Sequence, residues 1–417
     1  MDLVRGLRDY DPDTFERLEI IRRTFTDNCR LYGIRLMEPS SLELLDTLKA
    51  KSGDEVTDEI YAFTDKGGRQ LGLRFDLTVG ITRFVCSRRD MPLPVKLGSF
   101  SSMWRYDEPQ RGRYRWFYQW DVEVFGARDR LLSNTEVIAF TASMLRDLGI
   151  RDYVIKVGDR RLLDHALKAF DDRKRSYMFG LIDKMAKKEE AELVDEYLHR
   201  GLSEDEIKYA FEIGRIEGDI GRIESITGQG TADELASISS KLKEVGVKHE
   251  VSMQVVRGLD YYTGVVFEAF DEFNPSLHAL AGGGEFDRLP AVFGRPELSA
   301  LGVAGGADRL LLAMKKETEE KGGVYVAYAK EMGNEAMKLA EELREARLAV
   351  RIDLDGHALA RQLADAERLG TVVTVMVLPD EWEKGYVKLK VMSSRSETIV
   401  RSDEALQALR KALNETV

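Results

Sequence analysis

The sequence is short of several things, and each shortage narrows the reading. Only two of the 417 residues are cysteine, Cys29 and Cys86, and only five are histidine. No histidine lies near either cysteine, so material is missing for a disulfide framework and for a Cys/His zinc site, and a reducing cytosol is the expected setting. Long apolar runs are missing too. The opening "MDLVRGLRDY" is charged and has no apolar centre, and "TVVTVMVLP" is too short and too β-branched for a membrane helix. No targeting signal, membrane span or anchor is expected. Positive net charge is also absent. Sixty-two Lys and Arg against 73 Asp and Glu leave −11, which argues against a protein that coats nucleic acid and requires any polyanion to be met at a local basic face. With nine prolines and 43% hydrophobic residues the chain can bury a real core, and its length predicts roughly two or three domains.

A local basic face is present in "FSSMWRYDEPQRGRYRWFYQWDVEVFG", residues 100–126. Arg105, Arg111, Arg113 and Arg115 lie between two runs of alternating apolar and polar residues, with turn chemistry from Pro109 to Gly112. The pattern predicts a long hairpin with a basic tip. Upstream, Phe15, Leu18, Ile21, Phe25 and Cys29 recur at helical spacing after Asp11 and Pro12, and Gly33 ends that helix. The strand "IRLMEP" stops at Pro39, either an ordinary strand-end proline or one shaped by packing against another subunit. A helix near Leu42 to Leu48, a strand pair in "EIYAFTD" and "QLGLRFDLTVG", and a helix from Ile81 to Ser87 follow. The basic hairpin is expected to continue the sheet of that strand pair. Ser133 and Glu136 predict a capping box for "EVIAFTASMLRDL", which Gly149 ends before the strand "DYVIKVGD". The pattern is α+β.

From about Ala166 to Lys248 charged helices dominate, one opened by a Ser203 and Glu206 capping box, before sheet patterning resumes in "VSMQVVRGLDYYTGVVFEAF". This reads as an insertion between strands of one sheet. Beyond the polar linker "KKETEEKGG", strands and helices alternate from "VYVAYA" to "GYVKLKVM", which predicts a small separate α/β domain with a partly parallel sheet.

Four stretches carry chemistry: the arginine hairpin, "LRFDLTVG" at 73–80, "VVRGLDYYTGVVFEA" at 255–269 and "LGVAGGADRLLLAM" at 301–314. In this order and at these separations they resemble the class II aminoacyl-tRNA synthetases, and "RGLDYY" resembles the histidine-specific signature of the histidyl-tRNA synthetases. The resemblance covers nearly the whole chain. It implies a class II antiparallel-sheet catalytic domain over residues 1–165 and 249–320, a helical insertion domain at 166–248, and a C-terminal α/β anticodon-binding domain at 323–417. Pro39 falls at the family's dimer-interface proline.

The implied reaction is ATP-dependent activation of histidine and its transfer to the 3′ end of tRNA(His) by a cytoplasmic homodimer. Positioning and electrostatic compensation do most of the work in such a displacement at phosphorus, and the planar, permanently charged guanidinium suits it. By resemblance, Arg105 meets the α-phosphate, Arg113 the distal phosphates and Arg309 the γ-phosphate or the nucleotide. Asp107 stands where the class commonly has a glutamate near the adenine amino group. Arg105 and Arg257 are the catalytic candidates, Arg257 aligning the carboxylate with the α-phosphate. On the histidine side, Asp76 and Thr78 match positions that hold the α-amino group, and Gln119 one near the carboxylate. Glu123 and Tyr262, with Tyr261 beside it, match positions facing the imidazole, a ring that is both donor and acceptor. Mg²⁺ is expected on the phosphates, with unidentified ligands.

Some residues depart from the family pattern. In "GGGEFDRL" at 282–289, Glu285 replaces the usual arginine, Phe286 a tyrosine and Arg288 a glycine; Trp116 stands where many relatives have a smaller polar residue, and Gly305 loosens the third motif. The alternative these departures keep open is a catalytically silent paralogue acting as regulatory subunit of ATP phosphoribosyltransferase. The anticodon-binding tail and the retained Arg105, Arg257 and Arg309 speak against it. For RNA, Arg361, Lys388, Lys390 and Arg395 in the tail are the candidate contacts.

Overall fold

The structure is a computed structural model that describes residues 2–50, 57–108, 112, 114–185, 188–255, 262–315 and 323–414. The chain divides into two compact units, Met1–Lys315 and Lys316–Val417.

In the first unit the strands are β1 (Arg35–Leu36), β2 (Leu42–Leu44), β3 (Ala62–Thr64), β4 (Gln70–Leu73), β5 (Val95–Trp104), β6 (Trp116–Phe125), β7 (Tyr153–Asp159), β8 (His249–Val251), β9 (Val265–Asp271), β10 (Ala281–Glu285) and β11 (Ala300–Gly306). Eight of them form one sheet in the order β1-β5-β6-β11-β10-β9-β7-β8. Its two outermost pairings are parallel and every pairing between them is antiparallel. The basic hairpin is β5 and β6, paired from Val95 opposite Phe125 to Trp104 opposite Trp116. Contrary to the expectation from sequence, it does not continue the sheet of the preceding strand pair. Strands β2, β4 and β3 make a separate three-stranded sheet, and the predicted helix at Leu42 begins only at Leu45 because β2 takes the first three residues. Local alternation identifies a strand but not its neighbour.

The first helix, Pro12–Leu31, is capped by the Asp11 carboxylate on Thr14 N, and a left-handed Gly33 follows its end. It buries Leu18, Ile21, Phe25 and Cys29 and leaves Phe15 exposed. The helix Arg130–Asp147 starts a turn earlier than the Ser133 capping box predicted. Asp129 is the cap, accepting from Leu132 N at 2.9 Å, while Ser133 Oγ donates back to Asp129 O and Glu136 pairs with Lys96 at 3.0 Å. Two cap patterns overlap there, and the earlier one, at Asp129, is the one that caps the helix. Ser203 and Glu206 do form a reciprocal capping box. The helices between β7 and β8 share one continuous apolar core with the sheet and with Pro12–Leu31, through Met178, Leu181, Leu193, Ile207, Ile213 and Leu235.

The second unit holds β12 (Val324–Tyr328), β13 (Val350–Ile352), β14 (Val373–Val377), β15 (Tyr386–Val391) and β16 (Glu397–Arg401) in the order β13-β12-β14-β15-β16. The first two pairings are parallel and the last two antiparallel. All five residues of β14 are buried. One face packs on the helices Gly333–Glu345 and Ala405–Asn414, the other on Leu359–Arg368. A central strand covered on both sides reads as a continuous apolar run, which is why "VVTVMVL" shows no alternation.

Candidate active site

Along β6 the two-residue period sorts side chains by face. Phe117, Gln119 and Glu123 point into a cavity of about 310 Å³, while Trp116, Tyr118 and Trp120 point away. On that far side Tyr10 sits 5.4 Å from Trp116 and 5.7 Å from Tyr118, and Phe25 sits 6.1 Å from Trp120. Trp116, one of the departures, therefore packs in an aromatic cluster outside the pocket.

Next to β6, β11 sets Gly302 opposite Glu123 and Gly305 opposite Trp120. A Cβ on Gly302 would collide with Glu123 Oε2 and Val122 O. Glycine is required there because the carboxylate lies across the neighbouring strand, and the same strand continues through Gly306 into the helix Ala307–Ala313 that carries Arg309.

Arg105, just past β5, is held by Nε donating to Phe75 O at 2.9 Å, with its guanidinium 5.1 Å from the Phe117 ring centre. Its Nη2 reaches Gln119 Oε1 at 3.4 Å. The Gln119 amide is set by donating through Nε2 to Asp121 Oδ1 at 2.9 Å, which turns its oxygen toward the arginine. Asp76 precedes the helix Thr78–Ser87 and accepts from Val79 N at 3.2 Å; Asp76 and Thr78 are both buried. Arg309 donates from Nη1 to Ala279 O at 2.6 Å. Asp308 is buried beside it, and Arg8 and Tyr10, both from the N-terminal segment, bond to its Oδ1. Burial pushes its carboxyl up to about 6, against the pull of Arg8 and the Tyr10 hydroxyl.

Of the remaining departures, Glu285 and Phe286 have partners and Arg288 faces solvent. Glu285 is buried and is not among the residues that line the cavity, accepting from Asn134 Nδ2 at 2.6 Å and lying 3.6 Å from Arg130 Nη1. Burial raises its carboxyl, opposed by those two groups. Phe286 lines the cavity and packs edge-on against Phe125 at 6.1 Å. Arg288 is exposed at the start of the short helix Arg288–Val292.

Asp76, Thr78, Arg105, Asp107, Gln119, Glu123, Tyr262 and Arg309 thus line one cavity, although they come from positions 76 to 309 of the chain. Arg113, Arg257 and Tyr261 lie outside the described residues. Sequence reading missed Tyr114 and Asp308, which also line it. The signal for Asp308 was its place beside Arg309 in "GADRLLLAM". In the second unit, Arg361 pairs with Asp365 at 3.3 Å, Lys388 lies 3.8 Å from both Glu381 and Glu397, Lys390 is 3.6 Å from Glu397, and Arg395 is 3.4 Å from Glu367. Among the described residues no group of three or more His, Cys, Asp or Glu could hold a metal ion.

Comparison with known proteins agrees with this architecture. The profile of histidyl-tRNA synthetases matches residues 6–310, and that of the anticodon binding domain matches residues 316–412. The histidine–tRNA ligase of Archaeoglobus fulgidus is 33% identical across 97% of this chain and 98% of its own length. That of Pyrobaculum islandicum is 34% identical across 94% of each. The crystal structure of histidyl-tRNA synthetase from Nostoc sp. PCC 7120 has the same fold, with a TM-score of 0.84 at 20% identity over 99% of both chains. A Bacillus halodurans structure described as an ATP phosphoribosyltransferase regulatory subunit/histidyl-tRNA synthetase gives 0.73 at 22% identity over 91% of this chain and 98% of that one. Shared with the curated ligases over nearly its full length, and with both sequence profiles in the same order, the chain belongs to the histidyl-tRNA synthetase family.

Proposed function

We propose that the cavity of the first unit activates histidine with ATP and that the protein then transfers the histidyl group to tRNA(His). The observation that carries this reading is the meeting of two guanidiniums, Arg105 and Arg309, with the carboxylates Asp76 and Glu123 in one pocket. Two cations match a triphosphate; the acids match an amino group and an imidazole N–H. Arg105 receives the α-phosphate and offsets charge as the histidine carboxylate attacks and pyrophosphate leaves. Arg309 and Arg113 receive the distal phosphates, and Asp107 lies toward the adenine. Asp76 and Thr78 hold the α-amino group, Gln119 faces the carboxylate, Glu123 and Tyr262 meet the ring nitrogens with Tyr261 beside them, and Arg257 aligns the nucleophile. A pocket that demands an imidazole partner on both sides rejects apolar amino acids by leaving buried polar groups unpaired.

Mg²⁺ that rides on phosphates needs only one or two protein carboxylates. The described residues offer no larger cage, so the ion is assigned no ligand and no step is routed through it.

The second unit is proposed to read the anticodon. Its basic candidates are all ion-paired, so RNA phosphates must exchange with carboxylates there. A second copy of the chain is proposed to cover Leu31, Leu36, Leu42 and Leu44, which are exposed around the buried Pro39. No helix of the described residues is long and apolar enough to cross a membrane, and the cytoplasm is the proposed location. The test is pyrophosphate exchange with each of the twenty amino acids. Exchange with histidine alone supports the reading; exchange with none favours the regulatory paralogue, and exchange with another amino acid overturns the assignment of the pocket.

A further inference from the structure

The N-terminal segment before the first helix belongs to no sheet, yet it touches both walls of the nucleotide half of the cavity. Toward the hairpin, Arg115 N donates to Gly6 O at 2.8 Å, Arg115 Nη1 reaches Arg5 O at 3.4 Å, and Arg5 pairs with Glu108 at 3.1 Å. Two residues further on, the Arg8 guanidinium lies over the Tyr114 ring at 4.0 Å and the Tyr10 ring at 4.3 Å, while it ion-pairs with Asp308. Tyr10 OH adds a hydrogen bond to the same Asp308 oxygen at 3.3 Å. Tyr114 belongs to the hairpin wall and Asp308 to the helix wall, next to Arg309. One side chain thus joins two elements that are far apart in sequence and that both line the site.

We propose that Arg8 is a positioning residue for the ATP half of the site: by clamping Tyr114 to Asp308 it sets the spacing between the hairpin that presents Arg105 and the helix that presents Arg309. The inference rests on the ATP reading of the cavity. A planar guanidinium is needed because it must stack on rings and bond a carboxylate edge-on at once, which an ammonium cannot do. Arg8 itself does not line the cavity, so its effect reaches ATP only through its two partners. The histidine half, built on β6 and β11, does not use it.

The test uses the full chain with Arg8→Gln, Arg8→Lys, Asp308→Asn and the Arg8→Gln/Asp308→Asn double variant. It reads KM for ATP and KM for histidine in exchange, binding of a non-hydrolysable ATP analogue, and thermal unfolding. Arg8→Gln should raise the ATP KM and weaken analogue binding by about tenfold or more, the scale of one hydrogen-bonded charge, with the histidine KM within about twofold. Arg8→Lys should recover part of the loss, and the double variant should be no worse than the poorer single one, as for two ends of one contact. If Arg8→Gln fails to fold, Arg8→Lys is compared with the unchanged chain by the same split. Equal changes in both KM values, or unchanged analogue binding in a folded variant, would overturn the proposal. Analogue binding that weakens in a protein showing no exchange would support the clamp while sinking the activity reading.

Discussion

Two aspartates, one in each unit, face the same problem and resolve it differently. Asp308 in the first unit and Asp353 in the second are both buried, and each has a cationic or ionisable partner, Arg8 for one and His357 for the other. At Asp308 burial wins, and the carboxyl is pushed up to about 6. At Asp353 burial is outweighed by the His357 ring at 2.7 Å and by the backbone N–H groups of His357 and Gly356, and the carboxyl is held below its ordinary value. The first unit gathers charges inside a cavity, where low dielectric strengthens their action on a ligand and costs stability. Away from Asp353, the second holds Arg361 and Arg395 in ion pairs whose guanidiniums are exposed, where they exchange partners cheaply. A chemical site needs the former and an RNA-reading face the latter.

The comparison can be broken most severely at Arg105. Its replacement by alanine should lower histidine-dependent exchange by about a hundredfold or more, the scale of losing one preorganised charge contact. Single-turnover adenylation measures this, and a rate within a few-fold of the unchanged chain would contradict it. Next comes the close approach of Glu123 to β11. Gly302→Ala sets a methyl group against that carboxylate and should raise the histidine KM by about tenfold or more while the ATP KM holds. A parallel rise in both would mean that the pairing of β11 with β6, and not the histidine contact alone, had been disturbed.

A smaller effect is expected in the second unit. Lys388→Ala and Lys390→Ala remove cations that already have carboxylate neighbours, so each should raise the tRNA KM only several-fold, reduce its salt dependence by about one phosphate contact, and leave exchange unchanged. The smallest is a pH effect at His357. Its hydrogen bond to Asp353 raises its pKa above the ordinary 6.5. A histidine raised on folding contributes stability that is complete below its unfolded value and is lost as pH rises through the folded one. Unfolding of the second unit should therefore become slightly easier from about pH 6.5 upward, and His357→Gln should flatten that slope. An unchanged slope in the variant would remove the histidine from the account.

The same contrast explains what could be read from the sequence. The basic hairpin, the first helix and the alternating tail follow from periods of two and 3.6 residues with turn or cap residues at their ends, so local pattern sufficed. Strand partnership does not follow, which is why the pair β3 and β4 is expected in the hairpin's sheet, and β2 is read as the start of a helix. Strand β16 and the helix Ala405–Asn414 were not foreseen, although "ALQALRKALN" is amphipathic in retrospect. Of the site residues read from the motifs, Arg113, Arg257 and Tyr261 lie outside the described residues and the other eight line the cavity, whereas Arg8, Tyr10 and Tyr114 were not singled out. Their role lies in a meeting of three distant segments, and "RGLRDY" has no periodicity that announces it.

The division of labour between the units is tested most directly by a chain ending at residue 320, assayed for both reactions after its oligomeric state has been verified. Each unit has its own apolar core, so the cut opens neither. The expected result is histidine-dependent pyrophosphate exchange near that of the full chain together with severely reduced charging of tRNA. Undiminished charging would contradict the assignment of RNA reading to the second unit, and loss of exchange in a folded protein would contradict the placement of the chemistry in the first.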